Sequence, residues 1–290
     1  MVDYCDIVIA FHDGKSTGRL RREFHHPAMG DIRKVLVALS ETEPLVEELL
    51  NYRFNTTSDL NGHTIGNLLL TAMNNITGNM SDGIDALSKV LKLKGRVLPL
   101  TEDDITLVAE MSDNSKVVGE HNITLSSKTV KRVYYETEPT ISKEVLKAIE
   151  EADLVILSMG SLYTSIVPNL ICREIIKELD KANKKIMYVC NMVTQPGETD
   201  NMKVSDHIKI LNNYLGYHKI DVVIANSGLI TKEIALKYST EEQKDPVIMD
   251  KKEIENINVE LIENDYVSIN DNMIRHNVDK LALDIYSYMV

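Results

Sequence analysis

The sequence has 290 residues, of which 43% are hydrophobic and 26% charged, and its formal net charge is −12. That length buries a sizeable core, as one large domain or two small ones, and the composition is that of a globular protein. No apolar run approaches the roughly 20 residues that span a bilayer, and the acidic balance opposes non-specific nucleic-acid binding, which rests on a basic field.

The opening Met1-Val2-Asp3-Tyr4-Cys5-Asp6 lacks the basic region and small-residue cleavage site of a secretory signal, so a cytoplasmic location is expected. Cys5, Cys172 and Cys190 are an odd number without a C-x-x-C pair, which predicts core thiols rather than disulfides or a zinc site. Residues 1–35 depart from the acidic average, with six Lys/Arg, five Asp/Glu and three histidines. A local anion site and a solvated basic helix are the two readings of that stretch.

The chain opens with an apolar run, Ile7 to Phe11, then a polar turn and a basic helix, which reads as strand, loop, helix. Gly62-His63-Thr64-Ile65-Gly66-Asn67 leads into a helical pattern to about Ile76. A second helix is expected from about Asp82 to Leu93, with Ser81 as N-cap and a stop at Gly95; both helices are read as largely buried. Between about residues 96 and 136 the period shifts towards two. Asp113-Asn114 lies between Ile105–Met111 and Lys116–Val118, which predicts a hairpin in an antiparallel excursion.

The second half contains short apolar runs at Leu154–Leu157, Ile186–Cys190 and Ile220–Ala225, each followed by a polar loop and a helix. Such alternation predicts an α/β, Rossmann-like fold with a mostly parallel sheet flanked by helices. No linker marks a boundary, so a single domain over 1–290 is expected. Ligands of such sheets bind beyond the carboxyl ends of the strands.

Four strand-end segments stand out. His12-Asp13-Gly14-Lys15-Ser16-Thr17-Gly18-Arg19 has phosphate-cradling residue types but lacks the first glycine of a P-loop, so an NTPase is excluded. A flexible turn into a helix is its alternative. Gly30-Asp31-Ile32-Arg33 sets a carboxylate and a guanidinium beside another glycine. Ser158-Met159-Gly160-Ser161-Leu162-Tyr163-Thr164-Ser165 has five hydroxyl-bearing residues among eight, suited to phosphate or sugar oxygens at a helix N-terminus, the alternative being a capped turn.

Asn191-Met192-Val193-Thr194-Gln195-Pro196-Gly197-Glu198-Thr199-Asp200 is too long for a simple connection. Asn226-Ser227-Gly228 reads as a turn. Asn277 is the expected N-cap of the last helix, and Arg275 beside that positive dipole end points to an anion. His63 reads as a structural histidine as readily as a donor, and no histidine pair has metal-ligand spacing. No general base or nucleophile dyad can be argued from spacing.

Taken together, Gly18-Arg19-Leu20-Arg21-Arg22-Glu23, Gly30-Asp31-Ile32-Arg33, Gly62-His63 through Gly66-Asn67, Gly160 through Ser165 and Thr194 through Asp200 resemble the YvcK, or gluconeogenesis factor, branch of the CofD-like superfamily. The resemblance runs in order from about Ile7 to Arg275-His276. It implies a cytoplasmic protein that binds a nucleotide-sugar or dinucleotide and serves cell shape and wall-precursor metabolism during gluconeogenic growth. The positions matching the ligand site are Asp13, Gly14, Ser16, Thr17, Gly18, Arg19, Asp31, Arg33, His63 and Asn67 in the first half. In the second half they are Gly160, Ser161, Tyr163, Thr164, Ser165, Asn191, Thr194, Gln195, Glu198, Thr199, Tyr238 and Arg275.

Related CofD enzymes are magnesium-dependent transferases that move a phospholactate-type group from a nucleotide-activated donor to a deazaflavin. The resemblance therefore leaves three readings: a non-catalytic nucleotide-sugar-binding regulator, which leads; such a transferase, with Asp13 or Asp31 serving magnesium or proton transfer; and an interaction scaffold without a working ligand site. No cofactor beyond the nucleotide-type ligand and no metal site is expected, and a homo-oligomer is compatible with all three.

The family pattern begins with a strand and a Gly-Gly-Gly-Thr-Gly loop, whereas this sequence opens at what looks like the second strand, so the main diphosphate cradle is expected to be missing. His12-Asp13-Gly14-Lys15-Ser16-Thr17 replaces Asp-Asp-Gly-Gly-Ser-Ser, Lys34 replaces Asn, and Ser158-Met159-Gly160-Ser161 replaces Gly-Pro-Gly-Ser. A weaker or differently held ligand is expected from either truncation or divergence.

Overall fold

The computed structural model describes residues 4–9, 15–24, 28–41, 43–270 and 273–290. Asp13, Gly14, His25 and His26 lie outside the described residues, as does the end of the predicted first strand. The chain divides into two compact units. The first comprises Met1–Glu110, Lys116–Leu125 and Val133–Ala148, and the second Met111–Ser115, Ser126–Arg132 and Ile149–Val290.

In the first unit, β1 (Cys5–Val8) pairs in parallel with β2 (Arg96–Pro99). The basic segment forms α1 (Lys15–Phe24), followed by α2 (Gly30–Leu39) and α3 (Pro44–Asn51). The pair α4 (Ile65–Thr77) and α5 (Met80–Leu91) follows. Thr64 caps α4 through the Asn67 amide, and Gly78 (φ +90°) ends it in the left-handed conformation that glycine adopts without strain.

The cap of α5 is Asn79, which accepts the Asp82 amide, and not Ser81; its C-terminal left-handed residue is Lys92, and not Gly95. Both helices are amphipathic rather than buried all round. Ile32, Leu36, Leu70, Ile84, Leu87 and Val97 form the core, while Ile76 and Val90 face solvent. The excursion predicted from residue 96 begins later, because β2 is a parallel strand. The antiparallel part is β3 (Leu107–Met111), β4 (Lys116–Val118) and β5 (Val130–Tyr135), in the order β4-β3-β5, with Asn114 (φ +64°) in the tight turn. Helix α6 (Glu120–Leu125) lies between β4 and β5, and α7 (Lys143–Glu151) follows them.

The second unit is organised by a parallel sheet in the order β6 (Leu154–Leu157), β7 (Lys185–Val189), β8 (Val222–Asn226), β9 (Glu260–Asn264). The near-continuous apolar runs of β7 and β8 follow from burial on both faces. Met187, Val189, Val222 and Ile224 join a core with Tyr238 of α11 (Lys232–Glu241) and Leu281 of α13 (Val278–Met289). The intervening Tyr188 stacks instead on His207 of α10 (Val204–Tyr214), with ring centroids 6.4 Å apart. That alternation is the period-two signature of a strand covered on two sides.

Between β6 and β7 the chain forms a π-helical turn (Leu162–Ile166), then α8 (Val167–Leu170) and α9 (Arg173–Ala182); α12 (Lys251–Asn256) precedes β9. A hairpin of β10 (Val267–Asn270) and β11 (Met273–His276) precedes α13. Among the described residues, no helix is long and apolar enough to cross a membrane.

His63, His207 and His276 all have imidazoles pushed below their ordinary range, burial being the first cause in each. A histidine depressed in the folded state favours folding above its unfolded pKa, and that contribution fades as pH falls through about 6.5 towards the lower folded value. The expected result is a urea midpoint that declines between pH 7.5 and 5.5. An unchanged midpoint across that window, once carboxylate titration is allowed for, contradicts the neutral burial of these rings.

Candidate functional site

The predicted residues of the first unit that are described gather around the N-terminus of α1. Ser16 and Thr17 are buried there, and the Asn67 side-chain amide donates to both, at 3.3 and 3.2 Å. The Ser16 hydroxyl also lies 2.9 Å from His63 Nδ1. Burial, then the neighbouring Arg19 and Arg53, push this imidazole below its ordinary range, with Glu23 opposing them. Ser16 accepts from Asn67, and the direction of its bond with Nδ1 follows the imidazole tautomer.

Gly18 is buried in α1. Gly30 permits the approach of α2, since a Cβ there would stand 2.8 Å from Thr17 Oγ1. Gly66 does the same for Arg33, whose Cδ would meet an added Cβ at 2.7 Å. Arg33 donates to Asn51 Oδ1, and Arg19 donates to the Asn61 carbonyl. Asp31 pairs with Lys34 at 2.9 Å in a surface i,i+3 contact of little energetic weight. Among the described residues, Asn67 Oδ1 and Arg33 Nε are buried without a hydrogen-bond partner. One acceptor and one donor of this cluster are thus uncommitted.

In the second unit the loops after β6 and β7 are built around a buried carboxylate. Glu198, 1% exposed, accepts the Tyr163 backbone N–H at 2.9 Å, the Thr164 hydroxyl at 3.1 Å and the Gln195 side-chain amide at 3.3 Å. It therefore occupies the donor-rich start of the π-helical turn, where a negative charge is favoured. Burial, then Tyr214 and Glu198, push the Tyr163 phenol up to about 12. Thr199 accepts the Gln195 amide at 2.8 Å, and Thr194 accepts that of Asp245 at 2.9 Å.

Asn191 donates to the carbonyls of Met159 and Gly160, at 3.2 and 3.1 Å, and accepts the Tyr188 hydroxyl at 3.1 Å. Ser161 donates to Gln195 Oε1 at 3.0 Å. Only glycine fits at 160, because a Cβ would lie 2.7 Å from that of Ser165. Tyr163, Thr164, Thr194, Glu198 and Thr199 are buried inside this framework, while Gly160, Ser161, Ser165, Asn191 and Gln195 are half-buried at its surface.

Two predicted residues are placed differently. Arg275 does not stand at the helix N-terminus: it lies in β11 and is exposed, with Nη1 3.4 Å from its neighbour's carbonyl. The α13 cap is Asn277, as expected, which accepts the Lys280 amide. Tyr238 is buried, and its hydroxyl accepts the Ile274 N–H at 2.7 Å, tying α11 to β11. Tyr238→Phe leaves that buried amide without an acceptor and is expected to cost about 1–3 kcal/mol of stability. Chemical denaturation checks this, and an unperturbed stability would refute the assignment.

The cysteines form no disulfide; Cys172 and Cys190 are buried, and burial raises the Cys190 thiol to about 12, which leaves it unreactive. Among the described residues, no group of three or more His, Cys, Asp or Glu side chains is placed to hold a metal ion. Sequence reasoning missed Leu229, Ile230, Pro246, Val247 and Met249. They line a cleft with Asn226, Ser227 and Gly228 at the carboxyl end of β8. Its only signal in the sequence was the strand before it.

Comparison with known proteins matches residues 3–267 to the family of 2-phospho-L-lactate transferase CofD. The gluconeogenesis factor of Bacillus subtilis is 44% identical over 282 residues, covering 97% of this chain and 89% of that protein. The protein of the same name from Halalkalibacterium halodurans is 40% identical, covering 95% and 86%. A crystal structure of a member of the UPF0052 family from Bacillus halodurans superposes with a TM-score of 0.94 at 39% identity, over 98% of this chain and 92% of that one. The chain belongs to the CofD family, in the branch of the gluconeogenesis factors.

Proposed function

We propose that this protein is a cytoplasmic, non-catalytic binder of a nucleotide-sugar that serves a regulatory role in growth on gluconeogenic carbon sources, including cell shape and wall-precursor supply. The observation that carries the reading is the Glu198-centred framework. Two buried hydrogen bonds and a third, partly buried one to a single carboxylate tie the β6 and β7 loops together, which lowers the ordering cost of binding. The half-buried Gly160, Ser161, Ser165, Asn191 and Gln195 at its surface are the groups assigned to ligand oxygens. The first unit has a polar cluster of its own, with Ser16, Thr17 and His63 and with Asn67 Oδ1 and Arg33 Nε buried without a partner. The names of the relatives supply the gluconeogenic context.

Thermal denaturation with UDP-sugars tests the reading. A ligand that binds only the folded chain adds about 2.7 kcal/mol at 100 times its Kd, so the transition should rise. No rise with any UDP-sugar or dinucleotide at millimolar concentration refutes it. The match to a transferase family favours one competing reading, transfer of a phospholactate-type group to a deazaflavin. Product formed from activated donor and deazaflavin in the presence of magnesium would establish that alternative.

A further inference from the structure

Strand β9 forms one edge of the second unit's sheet: it pairs with β8, and among the described residues no strand lies on its other side. The backbone groups of a strand alternate between its two sides. The Glu260 N–H donates to the Asp221 carbonyl and the Asn264 carbonyl accepts the Ser227 N–H, both at 2.9 Å, so the even-numbered residues of β9 face β8. Leu261 and Glu263 therefore turn their N–H and C=O groups outward. None of these outward groups has a hydrogen-bond partner among the described residues.

An unpaired edge is a template for another strand, and natural edges are commonly guarded by charge. Here the guard is selective. An antiparallel copy related by a two-fold axis must be centred on a residue, because centring between two residues sets outward groups against inward ones. Centred on Glu263, the carboxylate faces its own copy, and like charges directly opposite are destabilising. Centred on Leu261, Glu260 stands against the partner's apolar Ile262. Centred on Ile262, every position is matched: Leu261 exchanges both backbone bonds with the partner's Glu263, and Glu263 does the same with the partner's Leu261. Glu260 then stands opposite the partner's uncharged Asn264, and Ile262 meets itself. Lys251 of α12 is paired with Glu263, which offsets the charge at that edge.

Both faces of β9 carry a helix. Ile262 shares a core with Leu281 and Ile285 of α13, while α12 packs on β9 and sets Lys251 on Glu263, whose side chain points to the opposite face. Across a two-fold axis at Ile262 both helices approach their copies, which extends a short strand contact towards the roughly 1,200–2,000 Å2 of a stable interface. We infer that β9 pairs with the β9 of a second copy of this chain, antiparallel and centred on Ile262. The result is an isologous dimer in which the two four-stranded sheets join into one. This assembly is independent of the ligand reading, since it uses only the edge of the sheet.

Sedimentation velocity of the full chain across micromolar concentrations is expected to show a dimer. Glu263→Pro removes one outward N–H and no bond to β8, a place where an edge strand tolerates proline. It should keep the circular dichroism of the parent chain and weaken dimerisation at least tenfold. Cross-linking tests the register without relying on that variant. Opposite residues of a non-hydrogen-bonded antiparallel pair have Cα atoms about 4.5 Å apart, within the span of a disulfide. Oxidation of Ile262→Cys, in a Cys5→Ser background, should therefore link two chains, and Leu261→Cys should not. A monomer at every concentration overturns the inference, as does a dimer whose affinity Glu263→Pro leaves unchanged. A dimer that cross-links through Leu261→Cys and not through Ile262→Cys overturns the register.

Discussion

Replacing Glu198 by alanine is expected to cost about 3–4 kcal/mol, because it strips the Tyr163 amide of its acceptor, leaves the Thr164 hydroxyl and Gln195 amide to find others, and opens a buried void. Glu198→Gln separates the two effects. It keeps the volume, but its NH2 must face a group that is itself a donor. If it faces Tyr163 the conflict is with a backbone N–H that cannot turn, and if it faces Thr164 and Gln195 both the hydroxyl and the side-chain amide must reorient. About 1–2 kcal/mol is expected for that variant. Both should weaken nucleotide-sugar binding beyond their effect on folding, since the loop surface they support carries the proposed contacts. Urea denaturation and ligand titration measure the two separately. An alanine variant as stable as the parent chain would show that the carboxylate is dispensable to the framework.

Gly197→Ala is the second large effect. Gly197 has φ +79°, and a Cβ added there would stand 2.9 Å from the Ser126 carbonyl oxygen and 3.2 Å from that of Lys128. Both neighbours are backbone, so neither can swing aside as a side chain would. The left-handed conformation costs an L-residue roughly 1–2 kcal/mol, and the crowding brings the total to about 2–4 kcal/mol. The Val130 N–H also donates to the Gly197 carbonyl at 2.8 Å, so the displacement reaches β5. Hydrogen exchange of Val130 should rise in the variant, and unchanged protection would contradict this account.

The parallel strands were legible because β7 and β8 are buried on both faces and therefore apolar without interruption, a pattern that needs no tertiary information. Strand β9 and the β10–β11 hairpin were not. Glu260 and Glu263 of β9 are exposed at a sheet edge, which erases the apolar run, and the hairpin alternates weakly. Arg275 was accordingly read against the helix that follows it rather than in its strand. The α5 cap was misplaced by two residues because Asn79 and Ser81 are both competent caps, and only the left-handed Gly78 before Asn79 fixes which is used.

Among the site residues, the sequence showed which loops are polar but not which way their groups turn. Glu198 and Ser161 both look available to a ligand, yet one is sealed into its own loop and the other lies at the surface. The cleft residues Leu229 and Val247 escaped notice because an apolar side chain in a loop carries no chemical signature until a second segment is placed opposite it.

The order of segments in the two units has a consequence for cutting the chain. The chain passes from one unit to the other at residues 110, 115, 125, 132 and 148, so no contiguous stretch of gene encodes either one whole. A recombination event that copied 149–290 into another reading frame would leave behind residues 126–132, against whose carbonyls Gly197 is fitted. A fragment cut at residue 149 is therefore expected to lack part of the backbone on which its own loop rests.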